Sequence, residues 1–274
     1  MSMTISSPTG LTDQTIAETL IAGANAARAS TLGRFRTQLA VDNKFSSGFD
    51  PVTEADREAE MRIREVIAAR FPDHGIIGEE WDTKDTATRF NWIIDPIDGT
   101  RAFISGVPVW GTLIGLTHEG RAIAGLMEQP YTGERWLAVG GRLEHTRNDQ
   151  PVPTAVSTVT KLSQARTSTT DPGLFSGPQL SAWTQLSARA LQVRYGLDCY
   201  AYCLLASGHI DLVVEAGLKD VDIAPLIPII EAAGGIVTTW DGGRAERGGT
   251  CIAAATEQLH EEAMRVLRDA MLDQ

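Results

Sequence analysis

In the stretch Asp95-Pro96-Ile97-Asp98, two carboxylates follow the apolar run Trp92-Ile93-Ile94 and precede Gly99-Thr100. In a regular strand, residues three apart point to opposite faces, so the two side chains would diverge. Pro96 breaks that regularity, because it has no N–H for a ladder and its φ is fixed. The chain is therefore expected to turn here and to bring both carboxylates to one side of the strand end. Neighbouring anions repel unless they are protonated or neutralised. Arg101 is the one cation close by in sequence, so a bound divalent metal is the economical source of charge. Oxygen-only donors suit Mg²⁺ or Mn²⁺ rather than zinc. The plainer alternative is a turn whose aspartates face solvent and cap the next helix.

Further acidic groups favour the metal. Glu79, in Gly78-Glu79-Glu80, ends a second short apolar run, although a glutamate there is often only solvated. Asp56 closes the motif that begins at Asp50, and its spacing from Thr53 is that of a capping box, a role compatible with catalysis. Asp222 opens an apolar helix, where an N-cap is the plain reading. Four acidic clusters, each at a strand end or a helix start, are what a two- or three-metal phosphoryl site needs.

Such groups need elements to hold them. Residues 13–40 and 54–71 are expected to form helices, the second with Ala59, Ile63, Val66 and Ile67 on one face. Residues 74–78 and 91–94 read as short strands, and 109–140 as an antiparallel meander with turns at 117–120 and 130–134. The polar segment 141–165 marks a domain boundary. Residues 1–145 would form an α+β domain carrying most of the metal ligands, and 146–274 an α/β domain supplying Asp222 and the specificity residues. Beyond the boundary, helices are expected over 197–210, 222–235 and 256–272, with strands over 211–217, 236–240 and 251–255. Pro228 should cost the middle helix a hydrogen bond or bend it.

Composition bounds the function. A net charge of −11 argues against nucleic acid or an anionic membrane as partner. The longest apolar runs are too short to cross a bilayer, and the N-terminal residues show no secretory signal. Three cysteines, an odd number, fit a reducing compartment, so a cytoplasmic protein is expected. Cys199 and Cys203 read as small buried residues on an apolar helix face. The five histidines are scattered without metal-ligand spacing. A phosphate ligand would need local positive charge in so acidic a chain.

The motifs at 50–56, 78–80, 92–100 and 221–235, in that order, resemble the inositol monophosphatase family. These are Mg²⁺-dependent, lithium-sensitive phosphatases related to fructose-1,6-bisphosphatase. The resemblance implies a layered α-β-α-β-α sandwich, usually a homodimer, acting on a small phosphate ester with two or three Mg²⁺ ions that Mn²⁺ can replace. It implies that Glu79, Asp95 and the Ile97 carbonyl hold one ion. A second would lie on Asp95, Asp98 and Asp222, and a third would be reached from Glu79 through water. It also implies that Asp56 and Thr100 activate the attacking water and that the amides of Gly99 and Thr100 bind phosphate oxygens.

The run Arg101-Ala102-Phe103-Ile104-Ser105-Gly106, then Trp110-Gly111-Thr112-Leu113, departs from the inositol phosphatases proper and is similar to the histidinol-phosphate phosphatases of histidine biosynthesis. Asp198 and Glu215 could receive the amine or the ring N–H of that substrate. Equally, Asp198 could be a helix N-cap and Glu215 a ligand of sugar or inositol hydroxyls. Lys219 could touch the phosphate or be solvated. Inositol 1-phosphate and other small phosphomonoesters are the alternative substrates. A non-catalytic metal- or phosphate-binding regulator is the alternative of another class, and the intact ligand set with its Thr100–Asp56 pair speaks against it.

Overall fold

The structure, a computed structural model, describes residues 11–38, 40–43 and 51–272. Asp50 and the first ten residues, both part of the sequence reading, lie outside the described residues. The N-terminal part contains α1 (Asp13–Leu32), β1 (Val41–Asn43), β2 (Pro51–Thr53), α2 (Glu54–Arg70), β3 (Gly75–Gly78), β4 (Phe90–Asp98) and α3 (Thr100–Ile104). A meander follows: β5 (Gly111–His118), β6 (Arg121–Gln129), β7 (Glu134–Val139), β8 (Arg142–Arg147) and β9 (Gln150–Pro151). The rest comprises β10 (Arg166–Thr169), α4 (Pro178–Ser187), β11 (Gln192–Tyr195), α5 (Asp198–Ala206), β12 (Leu212–Leu218), α6 (Asp220–Ile223), α7 (Ile227–Ala232), β13 (Ile236–Thr238), β14 (Gly249–Ala254) and α8 (Glu257–Leu272).

Among the described residues, β3 to β9 make one sheet in chain order, parallel only at β3–β4. A second sheet runs β11-β10-β12-β14-β13, with parallel pairs on either side of β10. Helices α1 and α2 cover the outer face of the first sheet through Leu20, Ala24, Ile63 and Ile67, which meet Ile94, Ile114 and Leu126. Helices α5 and α7 lie between the sheets, packing Cys203, Leu205 and Ile229 against Leu113 and Trp136 on one side and Val213 and Ala253 on the other. Helices α4 and α8 cover the far face of the second sheet through Trp183, Leu259 and Leu267. This is the expected α-β-α-β-α sandwich. No helix among the described residues is long and apolar enough to cross a membrane.

Two helices differ from expectation. α1 stops at Leu32 rather than at 40, because the chain turns through Gly33–Arg36 and folds Phe35 onto Phe103 and Trp110, with ring centroids 5.5 and 5.4 Å away. The helix expected over 222–235 is two short helices, α6 and α7, with Pro225 in the break. Pro228 falls in the first turn of α7, where an N–H has no intrahelical partner, so it costs no hydrogen bond. The segment 141–165 begins with β8 and β9, which extend the meander.

Candidate active site

The carboxylate pair of β4 is formed by a bulge rather than a turn. Asp95 pairs with Leu113 and Asp98 with Gly111, so three steps on β4 face two on β5. That extra residue re-aims the side chains that a regular pleat would send apart. Asp95 Oδ1 then accepts the Ile97 amide at 3.0 Å. β12 carries a matching irregularity between Glu215 and Leu218, opposite Cys251 and Gly249 of β14. The two bulged strand ends open into one cleft of about 220 Å³.

Glu79, Asp95, Ile97, Asp98, Gly99 and Thr100 line this cleft from the first sheet. Asp198, Glu215, Lys219 and Asp222 line it from the second half of the chain. Asp56 lies behind the wall, fully buried at the start of α2, and reaches the cleft through Thr100, whose Oγ1 is 3.4 Å from Asp56 Oδ1 and 3.1 Å from the Ile97 carbonyl. Its other oxygen accepts the Thr53 amide at 2.8 Å and the Thr53 hydroxyl at 2.6 Å, so the capping box exists and leaves Oδ1 for Thr100.

Asp95, Asp98 and Asp222 each offer an oxygen, all within 4.8 Å of one another. Burial, then the charges of Glu79, Asp98 and Asp222, pushes the Asp95 pKa well above the usual carboxylate range. Asp98 is pushed up likewise by burial and by Asp222 and Asp198, although the Cys199 amide donates to its Oδ2 at 2.7 Å. Asp222 rises to about 6, through burial and Glu79, against the pull of the Lys219 amide. Three carboxylates held together at such cost fit a hard cation, which oxygen donors alone would bind. Cys199 also lines the cleft, but burial pushes its thiol far up, so it offers no thiolate. Lys219 Nζ lies 2.9 Å from Glu79 Oε1 and brings a positive charge to the rim.

Asp222 owes its place to two glycines. Gly115 and Gly125 are register partners on β5 and β6, and Pro225 lies over them. A Cβ on Gly125 would stand 1.8 Å from the Pro225 carbonyl oxygen, so only glycine lets the α6–α7 break dock there. Gly99 is needed for another reason: its φ is +82°, and a Cβ would press on Asp198 at 3.1 Å.

Glu60, Thr169 and Thr170 escape sequence reasoning. Glu60, fully buried on α2, accepts the Glu80 amide at 2.7 Å and the Arg64 guanidinium at 2.7 Å, which fixes the turn carrying Glu79. The Glu60–Arg64 spacing was a readable signal of a helical pair. Glu215 is 1% exposed and accepts from Thr170 N at 2.6 Å, Thr170 Oγ1 at 2.9 Å and Thr169 Oγ1 at 3.1 Å. Even so, burial lifts its pKa to about 7. Burial also lifts Asp198 to about 6, against the charge of Arg101. Asp198 has a φ of +46°, and the amide that follows it is given to Asp98.

Residues 12–272 match the family model described as the inositol monophosphatase family. The chain belongs to the inositol monophosphatase family. Members of that family are generally phosphatases dependent on divalent metal, and the cluster described above is a candidate place for such an ion. The chain is 41% identical over 228 residues to the bifunctional phosphatase IMPL2, chloroplastic, of Arabidopsis thaliana, covering 79% of this chain and 65% of that protein's length. It is 35% identical over 251 residues to the histidinol-phosphatase of Mycobacterium tuberculosis, covering 89% of this chain and 95% of that one. The solved structure of an inositol monophosphatase from Zymomonas mobilis superposes with a TM-score of 0.82 at 35% identity, covering 93% of this chain and 98% of that one. As a member of the inositol monophosphatase family, this protein is a phosphomonoesterase.

Proposed function

We propose that the protein hydrolyses histidinol phosphate to histidinol and inorganic phosphate, with Mg²⁺ as its ion and Mn²⁺ able to replace it. The choice of ester rests on the second acidic wall of the cleft. Glu215 is buried and Asp198 half-buried, neither belongs to the Asp95–Asp98–Asp222 cluster, and both have raised pKa values that a cationic group would relieve. An ammonium or an imidazole N–H on the leaving alcohol suits that wall better than neutral hydroxyls. The name carried by the M. tuberculosis relative supports the same reading.

In this reading Glu79, Asp95, Asp98, Asp222 and the Ile97 carbonyl would hold the ions. When bound, the cations supply the positive charge that the phosphate and the departing oxygen require. Thr100 Oγ1 orients the attacking water while giving its own hydrogen to Asp56 or the Ile97 carbonyl. Burial raises the pKa of Asp56, which makes its carboxylate a better acceptor of the proton the water sheds. The water oxygen bonds to phosphorus as the ester P–O bond breaks, the alcohol oxygen leaves with the bonding pair and takes a proton from solvent water, and Asp56 returns its proton to solvent. The amides of Gly99 and Thr100 are assigned to the phosphate oxygens.

A turnover panel in Mg²⁺ tests the substrate: kcat/KM should be highest for histidinol phosphate, and a higher value for inositol 1-phosphate would overturn this choice. Asp98→Asn tests the centre and separates an enzyme from a non-catalytic binder. It should abolish phosphate release while the fold stays intact, and undiminished release would reject the site.

A further inference from the structure

We propose that Tyr202 is a specificity-determining residue, whose hydroxyl donates a hydrogen bond to the bare ring nitrogen of an imidazole-bearing leaving group. The inference deepens the histidinol phosphate reading and rests on it. Tyr202 lies on α5 one turn beyond Asp198 and lines the same cleft. It is 3% exposed, and its hydroxyl has no hydrogen-bond partner among the described residues. The Cys251 thiol flanks it without reaching bonding geometry. A buried hydroxyl left unpaired costs stability, and phenylalanine would fill the same space without that cost. A polar atom kept in this state at the wall of a binding cleft points to a partner that arrives with the ligand.

The neighbours define that partner. Ionised Asp198 and Glu215 only accept hydrogen bonds. The hydroxyls of Thr169 and Thr170 are already given to Glu215. Tyr202 therefore brings an uncommitted hydroxyl donor to a wall of acceptors. Neutral imidazole has one N–H and one bare nitrogen. A carboxylate satisfies the first and Tyr202 the second, whereas a ring of hydroxyls has no need of a dedicated donor. Burial pushes the phenol pKa well above its usual value, so the proton stays in place for donation.

The test is a cycle between residue and ring. Wild type and Tyr202→Phe are assayed with histidinol phosphate and with phenylalaninol phosphate, which keeps the amine and replaces imidazole by phenyl. The variant should lose about tenfold in kcat/KM on histidinol phosphate and change less than about twofold on phenylalaninol phosphate. Its melting temperature should equal or exceed that of wild type. Equal losses on both substrates would indicate a structural role, and no loss on either would mean no contact; each overturns the proposal. An independent arm needs no variant: wild type should favour histidinol phosphate over its phenyl analogue by about tenfold or more, and equal turnover overturns the proposal. Wild type that prefers inositol 1-phosphate would remove the substrate reading and this inference with it. Preference for histidinol phosphate with an unaffected variant would remove Tyr202 alone.

Discussion

Replacing Glu215 by glutamine separates what the acidic wall costs from what it does. Burial, aided by the charge of Asp198, carries the Glu215 pKa from 4.5 to about 7 even though Thr169 and Thr170 donate three hydrogen bonds to it. At about 1.4 kcal/mol per pH unit, keeping it ionised in the fold costs about 3 kcal/mol. Because the folded pKa is the higher one, the group's stabilising contribution is complete below pH 4.5 and is lost as pH rises through about 7. Glutamine keeps an oxygen for the Thr170 amide and hydroxyl and removes the charge. Glu215→Gln should therefore lie within about 1 kcal/mol of wild type at pH 5 and be about 3 kcal/mol more stable at pH 8.5. Urea denaturation in the presence of a chelator, at both pH values, measures the difference. Equal stability at pH 8.5 would refute the claim that burial of this carboxylate outweighs the hydrogen bonds from Thr169 and Thr170. The same variant should lose turnover of an amine-bearing ester while keeping that of glycerol phosphate, since neutral hydroxyls do not need the charge.

Thr100→Ala removes the hydroxyl that links the cleft to Asp56, and kcat should fall by about 100-fold or more while Mg²⁺ affinity by calorimetry is preserved; a loss of metal binding instead would place Thr100 among the ligands. Gly125→Ala drives a methyl into the Pro225 carbonyl, so stability should fall by about 3 kcal/mol and Mg²⁺ affinity should weaken as Asp222 shifts; an unchanged melting temperature would sink that packing account. Arg166 makes three contacts to Asp211, from N at 2.7 Å, Nε at 2.8 Å and Nη2 at 2.7 Å, and the Asp211 side chain has no exposure. Arg166→Met should lose about 3 kcal/mol in denaturant melts, because the buried Asp211 carboxylate loses its guanidinium partner and is left with two neutral donors, the backbone amide of residue 166 and the Ser157 hydroxyl, while kcat per folded molecule is kept.

The parts of this site that are local in the chain were legible before folding. Asp95 and Asp98 around a proline, at the end of an apolar run, announce carboxylates at a broken strand end. Thr53 and Asp56 announce a helix start, and the box is formed as spaced. Cys199 and Cys203 announce an apolar helix face, and both are buried. In each case the information lies within four residues, where backbone geometry alone relates one side chain to the next. Periodicity also revealed the meander and the closing helix, since a half-buried strand or helix must repeat its apolar residues on one face.

What joins those pieces is not local. The Cys199 amide meets Asp98 across 101 residues, and Lys219 meets Glu79 across 140. Glu60, Thr169, Thr170 and Tyr202 carry no motif; each matters because of what packs beside it. The helix expected over 222–235 is broken because Pro225 docks on Gly115 and Gly125, two residues that become neighbours only once β5 and β6 pair. Residue types and short spacings therefore declared which chemistry the chain carries. The packing of two sheets around α5 and α7 decided where the carboxylates meet and which of them face a substrate, because side chains far apart in sequence are brought together by burial and strand pairing, and no short-range pattern encodes that.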